Sequence, residues 1–460
     1  MQSDDDIAAR LARCFKAYDV RGRVPHDLDR DLARRIGRAF AAFLGAKRVV
    51  VGRDVRPSSP QLAEALAMGL RETGADVVDI GLCGTEEVYF ATFDLGADGG
   101  VMVTASHNPR GWNGMKFVRG EARAVSEDSG LLDIRRLAAD HDVPATGRYG
   151  TARTIDHRER FVEHLLTYVE TAALRPLRIV TNAGNGGAGL VIDALQRHLP
   201  FEFVKVHHEP DGRFPNGVPN PLLPENRAAT AEAVQACEAD FGVAWDGDFD
   251  RCFLFDERGY FIESYYLVGL LAAHLLGQNP GGRIVHDPRL TWNTIEMVRE
   301  AGGTPVQSRT GHAFLKERMW AEDAVYGGEM SAHHYFRDFR YCDSGMIPWL
   351  IIAELVSRQG TPLSEMVRER MKRFPVSGEI NRVVDDPDKI LREMEQCYAR
   401  DALAIDHTDG LSMEFERWRF NLRKSNTEPL LRLNVETRGD ADLLETVTRE
   451  LLARIGGERP

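Results

Sequence analysis

Four strings in this sequence hold residues whose types and spacing could do chemistry. The first is VMVTASHNPRGWNGMKF, where Ser106 ends an apolar run and is followed by His107, Asn108 and Pro109. Alone, such a string could be a turn, because Ser, Asn and Pro favour turns for local hydrogen-bonding and dihedral reasons. A hydrolase-type nucleophile would sit in GxSxG with its own His and Asp partners, and the flanking glycines are missing. A serine that carries a phosphoryl group has different needs: nearby cations and a metal ion to neutralise charge during transfer.

The second string, DGDFDR, supplies the metal candidate. Asp246, Asp248 and Asp250 alternate at a spacing of two, which can bring all three carboxylates to one side of an extended loop. An oxygen-only set suits a hard cation such as Mg²⁺. A calcium loop of the EF-hand type is the competing reading, since Glu257 falls at the twelfth position from Asp246. It fails because the sixth position is Arg251 rather than Gly and the preceding FGVAW reads as strand. A solvated acidic turn is the other alternative. Three aspartates and a phosphoserine of about −2 total roughly −5, and Mg²⁺ removes only two of these charges. Arg251, Lys116 and Arg21 in FKAYDVRG could close the remainder, although a surface charge is the commoner fate of an Arg or Lys.

The third string, GEMSAHHYF, packs a carboxylate, a hydroxyl and two imidazoles into one loop, the inventory a polyhydroxylated ligand requires. His333 and His334 could instead be interior histidines with backbone partners, a reading that fits His334 better. In the fourth, RKSNTEPLLR, the residues Arg423, Lys424, Ser425, Asn426, Thr427 and Arg432 surround a Pro-containing turn. Short hydroxyls, turn amides and guanidinium groups together make an anion cradle; a basic hairpin turn is the alternative.

Three segments of alternating strand and helix pattern must position these strings. One runs from RVVVGRD through ADVVDIGL to GVMVTASH, a second from RIVTNAGNG through FEFVKVHH to FGVAWDGD, and a third from RIVHD through TPVQSRTGH to AVYGGEMSAH. Strands alternating with helices predict mostly parallel sheets covered on both faces. TASHNP, DGDFDR and GEMSAH each follow the last strand expected in their repeat, where open α/β sheets carry binding groups. After MKRFPVSGEINRVV the order changes to alternating runs such as RWRFNL and LLRLNVET and then a terminal helix, which predicts a smaller α+β domain, with Pro375 and Gly378 as a hinge. The expected division is 1–149 with the serine loop, 150–258 with the aspartate loop, 259–371 with the GEMSAH loop and 372–460 with the basic turn.

A chain of 460 residues is long for one core and fits this multidomain reading. With 43% apolar and 28% charged residues, nothing argues for disorder. The longest apolar stretches fall short of the ~20 residues that span a bilayer. The acidic start MQSDDDIAARLARCFKAYD does not resemble a secretory signal, so a cytoplasmic enzyme is expected. The six cysteines contain no CxxC pair and read as buried free thiols. A net charge of −12 opposes nonspecific nucleic-acid binding. Neither nucleic acid nor a membrane is expected as a partner, and the chain is expected as a monomer or weak homo-oligomer.

TASHNP, DGDFDR, GEMSAH and RKSNTEP, in this order, together resemble the α-D-phosphohexomutase family over essentially the whole chain. The resemblance implies an α/β fold of four domains around a cleft: three similar mixed α/β sandwich domains and a smaller C-terminal α+β domain. By position, Ser106 would carry the phosphoryl group, and Asp246, Asp248 and Asp250 would bind Mg²⁺ together with a phosphate oxygen on Ser106. His107, Lys116, Arg251 and Arg21 would assist proton transfer or charge stabilisation, and Tyr18 and Arg21 match the family's entry segment. Glu329 and Ser331, with His333 and His312 nearby, would bind sugar hydroxyls. Arg423, Ser425, Asn426 and Thr427, supported by Arg432, would clasp the phosphate that is not reacting.

Met330 resembles the phosphomannomutase and phosphoglucomutase branch, and strings such as GTEEVYFATF and PNGVPNPLLPE look like bacterial members of GDP-mannose and polysaccharide pathways. The implied reaction is reversible conversion of mannose 6-phosphate to mannose 1-phosphate through phospho-Ser106 and a hexose 1,6-bisphosphate that turns over in the site, with the fourth domain moving on closure. Glucose phosphates as alternative or additional substrates, and a phosphatase using the same serine and metal, are the competing activities. Ala105 departs from the commoner TGSHNP; its methyl restricts positive φ and so puts the loop conformation in question.

Overall fold

A computed structural model describes residues 4–140, 147–425 and 430–458. The chain forms two compact units, one of residues 1–261 with 338–360 and one of 262–337 with 361–460. In the first unit, Arg48–Arg53 lies between Asp76–Leu82 and Gly99–Val103, all parallel, and Trp112–Arg119 runs antiparallel beside Gly99–Val103. Gly99–Val103 is buried along its whole length, as a strand covered on both faces must be. Val20–Arg23 extends this sheet beyond Trp112–Arg119, and Ala152–Thr154 extends it beyond Asp76–Leu82.

The second sheet of this unit repeats the arrangement. Arg178–Asn182 lies between Glu202–Val206 and Phe241–Trp245, parallel to both, and Cys252–Phe255 is antiparallel to Phe241–Trp245. In the second unit, Arg283–His286 sits between Thr304–Gln307 and Tyr326–Gly328, again with an antiparallel neighbour, His334–Phe336. The repetition expected from the sequence is present, with one difference: the strings TASHNP, DGDFDR and GEMSAH do not follow the last strand of their repeats. Each joins the third strand to an antiparallel fourth. Runs as short as CFLF and HYF, lying directly behind polar loops, carry too little periodicity to be separated from those loops in sequence.

The C-terminal part of the second unit is an antiparallel sheet in the order Val376–Val383, Leu430–Thr437, Trp418–Lys424, Leu411–Glu414, Ala404–Asp406. Alternate residues of its strands, including Phe420, Leu422, Leu433 and Val435, form a core with Met394 and with Val447, Leu451 and Ile455 of the helix Ala441–Ile455. This is the expected α+β element. At the expected hinge the strand has a register shift between Val376 and Glu379, with Gly378 at φ +67°. A β-bulge of this kind bends a strand without ending it.

Helix ends near the serine loop follow local rules. The helix Arg30–Leu44 begins at Asp29, whose carboxylate accepts from Leu32 N at 2.9 Å, and stops at Gly45 in the left-handed region. Its inner face packs on the helix Ser59–Glu72, where a Cβ at Gly69 would lie 2.0 Å from Arg34 O, so the two backbones are in direct contact. All six cysteines are free thiols; Cys397 is exposed, which departs from the expectation of burial. Among the described residues no helix is long and apolar enough to cross a membrane.

Candidate active site

Ser106 is buried at the mouth of the hairpin between Gly99–Val103 and Trp112–Arg119, with φ at 46°. The left-handed residue is therefore Ser106 and not Ala105, so the methyl of Ala105 does not disturb the loop. Non-glycine residues pay strain in this region, and such strain persists only where the surroundings enforce it. Here the enforcing residue is Arg56, which the sequence did not single out. Its buried guanidinium donates to the carbonyls of Ser106 at 2.8 Å, Asn108 at 2.6 Å, Pro109 at 3.0 Å and Trp112 at 3.0 Å. Arg21 adds a bond to Ala105 O at 2.7 Å and one to the Asn108 side chain, and is itself held by Asp19 at 2.8 Å.

The hydroxyl of Ser106 donates to Asp246 Oδ2 at 2.7 Å and lies 3.0 Å from His107 Nδ1. The loops meet backbone to backbone at this point, for a Cβ on Gly247 would fall 2.6 Å from Ser106 O. Asp246, Asp248 and Asp250 are all buried, and they offer oxygens within 4.8 Å of one another. Lys116 Nζ bridges Asp248 at 2.7 Å and Asp250 at 2.5 Å. Arg251 donates to Asp246 from Nε at 3.1 Å and from a terminal nitrogen at 2.8 Å, and also contacts His107. Thr85, a second residue missed in the sequence, donates to Asp248 at 2.6 Å and fixes its backbone carbonyl through Thr85 N at 3.1 Å.

Burial alone would push Asp246 up, but Arg251, His107 and Lys116 hold its carboxyl well below the usual range. Asp248 is likewise held down against burial, chiefly by Lys116. Burial would pull Lys116 down, yet Asp248 and Asp250 keep its ammonium well above its ordinary value. Desolvation first, and the Arg251 charge beside it second, lower His107 to about 4, although 41% of its side chain is exposed. The set is thus three carboxylates against two cations, one negative charge in excess. Asp248 Oδ1 has no partner among the described residues, leaving a buried anionic oxygen turned into an all-oxygen cluster. Such a cluster could hold a metal ion, and hard divalent cations match its donors.

In the second unit, Glu329 is the hub of the GEMSAH loop. It accepts from Gly311 N at 3.0 Å and from the Tyr335 hydroxyl at 2.6 Å, and pairs with His333 at 3.2 Å and Arg289 at 3.5 Å. Burial favours its neutral acid, but His333 and Arg289 outweigh this and keep it a carboxylate. Ser331 Oγ lies 3.2 Å from Arg289 and 3.4 Å from His333 Nδ1. His312 opens the helix His312–Glu322, its ring centre 6.5 Å from that of His333. Arg289, clamped by Asp287 at 2.7 Å, was not legible in sequence because nothing around it marks a motif, and Tyr335, although inside GEMSAHHYF, reads there as an ordinary strand aromatic.

Arg423 and Arg432 face each other on neighbouring strands and both reach Glu379, at 3.0 Å and 3.2 Å. Ser425 N bonds Leu430 O at 2.9 Å; Asn426 and Thr427 lie outside the described residues. Tyr18 sits half-buried between the helix Asp4–Cys14 and the strand Val20–Arg23.

His334 is a core residue, fully buried with its Nδ1 hydrogen-bonded to the Tyr326 hydroxyl at 2.6 Å. Burial first, and the neighbouring His333 second, lower it from 6.5 to about 3. The unfolded chain takes up this proton near 6.5 and the folded chain only near 3, so the associated stability is whole above 6.5 and is lost as pH falls toward 3. The stability gap between wild type and His334→Gln is therefore expected to narrow steadily through that window in denaturant titrations. A gap independent of pH would show that His334 does not titrate in this way.

The sequence matches family models for phosphoglucomutase/phosphomannomutase domain I over residues 12–140, domain II over 159–259, domain III over 263–374 and the C-terminal domain over 379–454. It is 62% identical over 437 residues to a Xanthomonas campestris pv. campestris protein described as phosphohexose mutases, covering 95% of this chain and 98% of that one. A phosphomannomutase of Escherichia coli K12 is 58% identical over 446 residues, covering 95% and 98%. Among solved structures, a phosphoglucomutase/phosphomannomutase family protein from Burkholderia thailandensis superposes with a TM-score of 0.86 at 33% identity, over 100% of both chains. The chain belongs to the phosphoglucomutase/phosphomannomutase family.

Proposed function

We propose that the chain is a Mg²⁺-dependent phosphomannomutase in which Ser106 carries the phosphoryl group between the C6 and C1 hydroxyls of mannose. The observation that carries the reading is the Ser106 hydroxyl 2.7 Å from Asp246, in a carboxylate cluster where Lys116 bridges Asp248 and Asp250 and Arg251 pairs with Asp246. A phosphoryl group on Ser106 would bring the negative charge to roughly five, which Lys116, Arg251, Arg21 and a divalent cation would balance. Bound at Asp246, Asp248 and Asp250, Mg²⁺ would supply Lewis-acid neutralisation of phosphate oxygens. The unpartnered Asp248 Oδ1 and the oxygen-only donors fit that ion.

The chain's own residues supply the rest of the chemistry. Arg56 and Arg21 fix the loop so that Ser106 Oγ does not wander, which matters because phosphoryl transfer depends mainly on positioning and charge. The Ser106 hydroxyl donates to Asp246 Oδ2 at 2.7 Å and lies 3.0 Å from His107 Nδ1, contacts that would orient its oxygen for transfer. In the second unit, Glu329, Ser331, His333 and His312 would recognise sugar hydroxyls, while Arg423, Ser425 and Arg432, with Asn426 and Thr427, would hold the phosphate not in transfer. Phospho-Ser106 would give its phosphoryl group to the free hydroxyl of the bound monophosphate and take one back from the other end, so that a hexose 1,6-bisphosphate stands between the two transfers, and its loss to water would stop the cycle. The names of the Xanthomonas and Escherichia relatives support the mutase and the mannose preference.

The test is phosphorus NMR of mannose 1-phosphate and glucose 1-phosphate in one sample, with Mg²⁺ and a trace of hexose 1,6-bisphosphate. Faster conversion of the mannose ester to its 6-phosphate is expected. Equal rates would make the enzyme bifunctional, and free phosphate without isomerisation would replace the mutase with a phosphatase.

A further inference from the structure

Arg423 and Arg432 occupy directly opposed positions on the strands Trp418–Lys424 and Leu430–Thr437. Like charges so placed are destabilising, so the pair needs an anion between them. In the structure that anion is the Glu379 carboxylate, from the adjoining strand Val376–Val383. One oxygen lies 3.2 Å from Arg432; the other lies 3.0 Å from Arg423 and 3.7 Å from Arg289. Three guanidinium groups around one oxyanion is the geometry of a phosphate site.

Arg289 is also paired with Asp287 and Glu329, and Arg423 and Arg432 share the Glu379 carboxylate. Arg423 and Arg289 are buried, and each has an Nε with no partner among the described residues. Glu379 and Arg432 reach the surface, with side chains 15% and 22% exposed. The carboxylate can therefore leave toward water while the buried guanidinium groups stay in place.

We propose that Glu379 is a resident counter-ion that stands in the phosphate position between Arg423, Arg432 and Arg289 and is displaced when a phosphate monoester binds. The proposal rests on the assignment of Arg423 and Arg432 to phosphate binding. It gives Glu379 two duties: it suppresses repulsion between the arginines in the empty protein, and it sets the affinity by competing with the ligand. A site that must release phosphate from either end of its substrate gains from such competition, because an arginine triad with no internal anion would retain the ligand.

The experiment uses inorganic phosphate as the probe, titrated by calorimetry against the full-length protein and three variants. Glu379→Gln and Glu379→Ser remove the charge and are expected to bind phosphate about tenfold more tightly, whereas Glu379→Asp keeps the charge and stays near wild type. Thermal unfolding confirms that each variant is folded, and two neutral variants guard against one that is not. In the mutase assay the neutral variants should show a lower KM and a lower kcat, as expected when release slows. Unchanged or weaker phosphate binding in both neutral variants, or no binding by any protein, overturns the proposal and makes Glu379 a purely structural support. Because calorimetry requires no turnover, tighter binding in the neutral variants without mutase activity in wild type would sink the functional assignment and leave this one standing.

Discussion

Ser106→Ala and Ser106→Gly are both expected to lose at least about a thousandfold in hexose-phosphate interconversion, because the atom that would carry the phosphoryl group is gone. The two variants should differ in stability. Each loses the bond from Ser106 Oγ to Asp246, a charge-assisted bond whose net contribution is about 1.5–3 kcal/mol. Asp246 keeps both bonds from Arg251, so its charge stays paired. At φ 46° an alanine retains the cost of a left-handed L-residue, roughly 1–2 kcal/mol, which glycine does not incur. Ser106→Gly should therefore unfold close to the wild-type midpoint and Ser106→Ala below it, with both equally inactive. Initial rates and thermal melts on the same samples decide this. Mutase rates above about 1% of wild type in either variant would remove Ser106 as the phosphoryl carrier.

The largest stability effect is expected at Glu436→Ala, at a site that takes no part in the proposed chemistry. Glu436 is fully buried on the strand Leu430–Thr437 and pairs with Arg419 at 2.7 Å. It also accepts from Thr291 N at 2.7 Å, from Trp292 N at 3.3 Å and from the Tyr265 hydroxyl. Arg419 in turn donates to the carbonyls of Pro288 and Arg289 at 2.9 Å and 3.0 Å. One carboxylate thus ties the C-terminal sheet to the start of the helix Trp292–Glu300 and to the segment bearing Arg289. Truncating it leaves Arg419 charged and buried without its partner, along with orphaned helix amides. Losses of about 3–5 kcal/mol follow when one member of a buried pair is removed. A fall of roughly 6–20 °C in the melting transition of the second unit is expected. Replacing Arg419 and Glu436 together by apolar residues should recover much of it, since the desolvation of the pair disappears with the pair. A single mutant that melts like wild type would mean that water reaches the site and replaces the carboxylate.

What could be read in the sequence was whatever was contiguous. TASHNP and DGDFDR place a hydroxyl and three carboxylates within a few residues, so type and spacing made phosphoryl and metal chemistry readable beside the turn alternatives, and the four strings together selected it. The order of the longer strands and helices was legible for the same reason, because each of those runs is long enough to show its period, whereas CFLF and HYF are not. Single residues supplied by distant elements were not. Arg56 lies fifty positions before the loop it fixes, Thr85 opens a helix far from Asp248 in sequence, and Glu379 stands in an ordinary strand pattern. Their roles arise from which backbone atom or charge they meet, and an isolated Arg, Thr or Glu carries no local sign of that. The backbone state of the loop was also hidden: attention fell on Ala105, whereas the strained φ belongs to Ser106.

That φ of 46° also limits which amino acid can serve at this position. Threonine offers the same hydroxyl and could carry a phosphoryl group as well as serine does, but its branched Cβ is poorly tolerated in the left-handed region. Selection at position 106 therefore acts on the shape of the main chain before it acts on nucleophilicity. A threonine there would have to unwind the four-carbonyl grip of Arg56 to relieve its own crowding, and would move its oxygen away from Asp246 in doing so.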